Sequence, residues 1–240
     1  MIRELFGNKP TFSCEFFPPK SPEGQAGLWN TIDSLRVYSN QETSLAVTST
    51  MVNERKIPTL AHLTCVGRTS EELAAIIDLY AAEGVRDILA LRGDPVTGAG
   101  TKWQTTPGGF TYAIELVEML RERGDFSIGV AAFPEGHPES SSREQDAKVL
   151  ADKQKAGAHF AMTNLFFNAE DYFRMIEDAA KFGCDMPIIP GLMPLTNVSQ
   201  IERFTTLSGA AFPAIWAERF RAVGDDSEAV LALGVEMVTE

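Results

Sequence analysis

Cysteine is scarce in this chain, with three residues in 240: Cys14, Cys65 and Cys184. They form no C-x-x-C pair and no even set, which argues against a disulfide framework or a structural zinc site and leaves three reduced thiols, a form usually buried. No apolar run approaches the roughly 20 residues that cross a bilayer, and the opening MIRELFGNKPTF holds no signal-peptide core, so the sequence reads as soluble and cytoplasmic. Lys/Arg-rich runs are missing too. With a net charge of −12 and a pI near 4.8, the chain would repel a phosphate backbone, which argues against nucleic acid as a partner. No repeat, linker or low-complexity tract divides residues 1–240, which are expected to form one domain.

What is present is alternation. Short β-rich runs are predicted at 12–17, 59–65, 87–93, 127–133, 159–167 and 188–194, and helical periods at about 24–37, 42–56, 70–84, 109–123, 142–157, 169–182 and 197–208. SEELAAIIDLYAAEG is the clearest helix: Leu73, Ile76, Ile77 and Tyr80 recur at steps of three and four, Ser70 and Glu71 can cap its start, and Gly84 can close its end. The pattern fits a (βα)8 barrel or a doubly wound sheet, and the absence of G-x-G-x-x-G after the first strand weighs against a dinucleotide-binding form of the latter. In a barrel the chemistry sits at the C-terminal strand ends. Those ends are Glu15, His62 to Cys65, Arg92 to Asp94, Phe133 to His137, Thr163 to Phe167, and Met193 with Pro194.

FSCEFFPPK places one carboxylate, Glu15, in an apolar run that ends in two prolines. Such a group is either salt-bridged at the rim or an acid whose pKa is raised by a poorly hydrated setting, as general acid catalysis near neutral pH requires. In LALRGDP, Gly93 would let backbone approach a ligand closely, and Asp94 pairs with Arg92, caps a turn or faces a ligand. His62 alternates along a strand and could be a satisfied core residue, whereas His137 lies in the proline-bounded loop FPEGHPE. Neither has a second His or Cys at metal spacing, so no metal is expected.

CEFFPPK, AHLTC, LALRGDP, AAFPEGHPE, DKQKAGA followed by TNLFF, and IIPGLMPL stand in the order, and at spacings similar to those, of the methylenetetrahydrofolate reductases. From about Phe12 to Thr239 the chain resembles that family. The resemblance implies a (βα)8 TIM barrel and an oxidoreductase of one-carbon metabolism. NAD(P)H would reduce a bound FAD and leave, after which methylenetetrahydrofolate would occupy the same face and be reduced to methyltetrahydrofolate, a ping-pong route. It implies that Glu15 is the acid that opens the substrate's five-membered ring and that Asp94 tunes the flavin and contacts the pterin. Arg92 and Gly93 would belong to the flavin site with His62 and His137, and Tyr112, Ala113, Asp146 and Lys153 would hold the ribityl, phosphate and adenine parts. Asn164 and Phe204 would contact substrate. Similar reductases assemble into homo-oligomers.

Three departures from the family stand out. Asn164 replaces a Gln and reaches about one methylene less. Between LWNTIDSLRVYS and ETSLAVTSTMVNERKIPTLAHLTC only Asn40 and Gln41 stand where the family has a second strand and a Gly-rich loop, and the chain ends at Glu240 inside what should be the last helix. The barrel is therefore expected to lack its second and last strands, because residues are missing, the variant is trimmed or partner chains complete the sheet. Two alternatives follow from that: a flavin-free reductase with direct hydride transfer, or a non-catalytic barrel that binds folate or a partner.

Overall fold

Strand and helix alternate along the chain in a computed structural model that describes residues 1–7, 13–16, 21–35, 38–41, 45–95, 103–197, 212–224 and 226–239. The residues group into two units, 1–130 with 153–160, and 131–152 with 161–240. In the first, β1 (Ser13–Phe16), β2 (Tyr38–Gln41), β3 (Thr59–Thr64), β4 (Asp87–Leu91) and the start of β5 (Ser127–Ala132) pair in parallel in chain order. Parallel neighbours need a crossover, and α1 (Pro22–Leu35), α2 (Leu45–Asn53), α3 (Ser70–Ala82) and α4 (Ala113–Arg123) supply one each.

The second strand, expected to be missing, is present. β2 pairs with β1 from Ser13↔Tyr38 to Phe16↔Gln41 and with β3 from Ser39↔Thr59 to Gln41↔Ala61. A ladder is made of backbone amides, so Ser39, Asn40 and Gln41 complete it although their side chains carry no strand signal. Among the described residues no strand follows β7 (Ile188–Ile189).

Helix α3 shows how the local chemistry is met. Thr69 is its cap, one residue before the cap expected at Ser70: its hydroxyl accepts from the Glu72 N–H at 3.2 Å while the Glu72 carboxylate accepts from the Thr69 N–H at 2.8 Å. Gly84, at φ +75°, closes the far end. Leu73, Ile77 and Tyr80 are buried as their spacing demands.

At the N-terminal end of this sheet lies a single turn, Ile2–Glu4, fastened by backbone donors. The Ile2 N–H donates to Asp87 Oδ1 at 2.6 Å and the Arg3 N–H to Ser127 Oγ at 3.0 Å, and these acceptors are the first residues of β4 and β5. Phe6 packs on Phe160 with ring centroids 5.2 Å apart. Phe160 fits only because position 129 is glycine: a Cβ there would lie 2.6 Å from the Phe160 ring and 3.0 Å from Leu89.

In the second unit β6 (Phe160–Thr163) pairs in parallel with β7. The same unit holds α5 (Arg143–Ala156) as far as Asp152, with α6 (Ala169–Ala180), α7 (Ala214–Val223) and α8 (Ser227–Thr239). Leu195, Trp216, Phe220, Val230, Leu233 and Met237 form a core of their own, each burial stabilising by about 1.5–3 kcal/mol for a large side chain. The helix predicted at 197–208 lies, beyond Asn197, outside the described residues. Among the described residues no helix is long and apolar enough to cross a membrane. Cys65 and Cys184 are buried, Cys14 is partly so, and all three are free.

Candidate active site

Strands β3 and β4 run out together. Thr64 pairs with Leu91, and beyond that rung the Cys65 and Val66 N–H groups donate to the Leu91 and Arg92 carbonyls, each at 3.0 Å. Arg92, Gly93 and Asp94 therefore leave the sheet side by side with the β3–α3 turn. Gly93 adopts φ +84°, and a Cβ there would lie 2.7 Å from Val66 Cγ1. The close approach that demands glycine is thus made by the protein's own Val66, where the sequence had suggested a ligand. Asp94 is exposed.

The connection from β4 to α4 folds back over the same turn. The Ser70 N–H donates to the Gly108 carbonyl at 2.9 Å, and Gly109 packs against the Arg68 carbonyl so closely that no Cβ could be placed. The Glu115 carboxylate then accepts from Thr111 and Tyr112 N–H groups at 2.9 and 2.8 Å, which starts α4. Tyr112 is exposed and Ala113, the first residue of α4, is buried. Behind them burial, and secondly the Glu115 charge, pushes the Cys65 thiol up to about 12, so it stays protonated and is no nucleophile.

Ladder parity sets which side chains share a face. Glu15 is on one rung with Asn40, and Asn40 with Leu60, so Glu15 shares the sheet face of Leu60, His62 and Thr64. Burial pulls His62 down to about 4, which leaves a neutral imidazole at physiological pH. Glu15 itself is exposed, which corrects the expectation of a poorly hydrated setting. Its strand is short and the apolar residues that follow it, Phe17 onward, lie outside the described residues. Lys153 lies partly buried in the last turn of α5, where a cation suits the helix dipole.

In the second unit the loop after β5 is organised by Asp146. Its Oδ2 accepts the His137 N–H at 2.9 Å, and His137 Nδ1 accepts from the Glu139 N–H at 3.0 Å while the ring stands edge-on to Phe133 at 4.7 Å. Asp146, expected to hold cofactor, here shapes the loop that carries His137. The Asn164 N–H donates to the Ala132 carbonyl at 2.8 Å, and its side-chain carbonyl accepts from the Leu165 N–H at 2.9 Å. That carbonyl is turned onto the neighbouring backbone. Phe204 lies outside the described residues. Among the described residues no group of three His, Cys, Asp or Glu is placed to hold a metal ion.

One residue escaped the sequence reading. The Arg92 guanidinium lies over the Trp103 ring, 4.7 Å from its centroid, and the buried indole Nε1 has no hydrogen-bond partner among the described residues. The available signal was a single Trp in a polar, Gly-rich loop just beyond a strand that ends in charge.

A family model described as methylenetetrahydrofolate reductase matches residues 2–240. The 5,10-methylenetetrahydrofolate reductase of Escherichia coli is 34% identical over 241 residues, covering 95% of this chain and 79% of its own. Methylenetetrahydrofolate reductase (NADH) 1 of Arabidopsis thaliana is 32% identical over 253 residues, covering 95% and 43%. Among solved structures, a Clostridium thermocellum protein that binds two copies of 5-methyl-5,6,7,8-tetrahydrofolic acid matches with a TM-score of 0.68 at 14% identity, over 99% of this chain and 85% of that one. A mutant tryptophan synthase alpha-subunit from Pyrococcus furiosus matches at 0.50 and 11%, over 95% and 98%. These two likenesses bear on fold alone: both neighbours are TIM-barrel-like, in accord with the parallel α/β organisation.

Proposed function

The chain belongs to the methylenetetrahydrofolate reductase family, and from that premise we propose that it reduces methylenetetrahydrofolate to methyltetrahydrofolate with hydride from NAD(P)H, through a bound FAD in two alternating half-reactions. The observation that carries this reading is the placement of Glu15: an exposed carboxylate, in the family's CEFFPPK motif, on the sheet face that also bears His62.

Glu15 gives a proton to the ring nitrogen released as the substrate's five-membered ring opens, and the iminium carbon left behind accepts the hydride. Its exposure lets it recover a proton from solvent between turnovers, and substrate lying over it would exclude water and favour the protonated form. Asp94, exposed at the end of β4, supplies a carboxylate for the pterin and a fixed negative charge. His62, held neutral, offers one donor and one acceptor and no cation.

The residues present fit the flavin. Arg92 and Lys153 are cations suited to its phosphates, and the buried Trp103 N–H beside Arg92 is an orphaned donor of the kind that a bound group satisfies. When bound, FAD supplies a two-electron carrier between NAD(P)H and the iminium carbon. Gly93, Tyr112, Ala113, His137 and Asp146 are assigned to the rest of it, and Asn164 and Phe204 to the folate. The flavin-free alternative drew on a missing second strand, and the presence of β2 supports the flavin-dependent reading over it. Residues 1–240 act as one catalytic domain of a cytoplasmic homo-oligomer. The reading is tested by turnover of methylenetetrahydrofolate with NADH or NADPH. Methyltetrahydrofolate is the expected product, and its absence with both donors would refute the assignment.

A further inference from the structure

We propose that Trp103 is a positioning residue that fixes the Arg92 guanidinium for the phosphates of the bound cofactor, an inference that rests on the flavin-dependent reading above. Three observations converge on it. The segment 103–112 is fastened to the β3–α3 turn by the Ser70 to Gly108 bond and by the packing of Gly109 on Arg68, so its return to the end of β4 is built in. At that end the indole lies under the Arg92 guanidinium at 4.7 Å, with both side chains partly buried and so only partly screened. Stacking engages the flat face of a guanidinium and fixes its plane, and with it the direction of the edge donors whose fork matches phosphate oxygens.

The third observation is the indole N–H. A buried Trp N–H normally finds an acceptor, and Trp103 Nε1 has none among the described residues. Trp103 is not one of the fully buried core side chains either, so packing alone does not account for it. A cation partner on its face and an orphaned donor on its edge together suit an anionic group held against Arg92, with a phosphate oxygen as the missing acceptor.

The test is FAD binding by the full chain freed of flavin, followed by flavin fluorescence at low and high salt for the wild type, Trp103→Phe and Trp103→Leu. Loss of the stack and of the indole donor should weaken FAD binding by Trp103→Leu at least about tenfold, a cation–π pair alone supplying a factor of roughly 2 to 30, and should flatten the salt dependence because one charge–phosphate contact is no longer oriented. Trp103→Phe keeps a ring under Arg92 but removes the indole donor, so it should lose several-fold, less than Trp103→Leu, and keep the wild-type salt dependence. Equal binding by wild type and Trp103→Leu overturns the proposal, as does weaker binding with unchanged salt dependence. A Phe variant with a flattened salt dependence also overturns it, an outcome read against the wild type alone should the Leu variant fail to fold. A wild-type chain that binds no FAD refutes the flavin reading itself, and this inference with it, and is recognised by a flat wild-type titration.

Discussion

Asp87 Oδ1 accepts the backbone N–H of Ile2 at 2.6 Å, which fastens the first turn of the chain to the first residue of β4. Asp87 is buried, and burial raises its pKa above the ordinary carboxylate value against the opposing hydrogen bonds from Ile2 and Ser127. A raised folded value means that this group's stabilisation is full below the unfolded pKa, about 3.9, and is lost as pH rises through the folded one. At pH 7 the charge is therefore a cost and the acceptor a gain. Asp87→Asn keeps the acceptor without the charge and should match or exceed the wild type in urea unfolding. Asp87→Ala orphans the Ile2 N–H and should cost about 1–3 kcal/mol. An Asn variant as unstable as the Ala variant would show that the charge itself stabilises.

His62 gives the opposite dependence on pH. Its folded pKa is depressed by burial from 6.5 to about 4, so between those values the unfolded chain takes up a proton that the folded chain refuses. Stability present above pH 6.5 should fall as pH drops toward 4, by on the order of 2–3 kcal/mol from this one group. His62→Gln, measured without ligands, should lose that share of the acid sensitivity. A variant with the wild-type pH profile would mean that His62 is not desolvated.

Much of this was legible because it rests on periodicity. The buried positions of α3 and the runs that became β3, β4 and β5 follow from apolar spacing alone, and the charged strand ends were visible as exceptions to it. β2 was not legible, since Ser39, Asn40 and Gln41 bond through backbone groups that every residue carries. The role of Val66 against Gly93 and the arrival of Trp103 at Arg92 depend on turns between distant segments, which no local pattern encodes. Glu15 was placed at the correct strand end but in the wrong solvent environment, because the motif's neighbours suggested burial while a four-residue strand leaves its side chain exposed.

Glu15→Gln separates the two half-reactions. Flavin reduction by NAD(P)H needs no proton from Glu15 and should stay near the wild-type rate, whereas folate reduction should fall by about 10²- to 10⁴-fold, the usual weight of a general acid. Stopped-flow absorbance follows both. Equal losses in the two would remove Glu15 from the acid role.

Asp94→Asn removes a negative charge from the end of β4. Reduced flavin would then be opposed by one charge less, and the midpoint potential should rise by about 10–30 mV, equivalent to about 0.5–1.4 kcal/mol for a two-electron couple. Spectroelectrochemical titration measures it. A potential that is unchanged or lower would place Asp94 away from the flavin.

The central claim, a resident flavin that is reduced by one partner and reoxidised by the other, is tested most directly by anaerobic visible spectroscopy of the wild-type protein. The flavin band should bleach on addition of NADH or NADPH alone and return when methylenetetrahydrofolate is added. A protein that stays colourless after FAD is supplied and still turns over, or one whose band bleaches only when both substrates are present together, would contradict it.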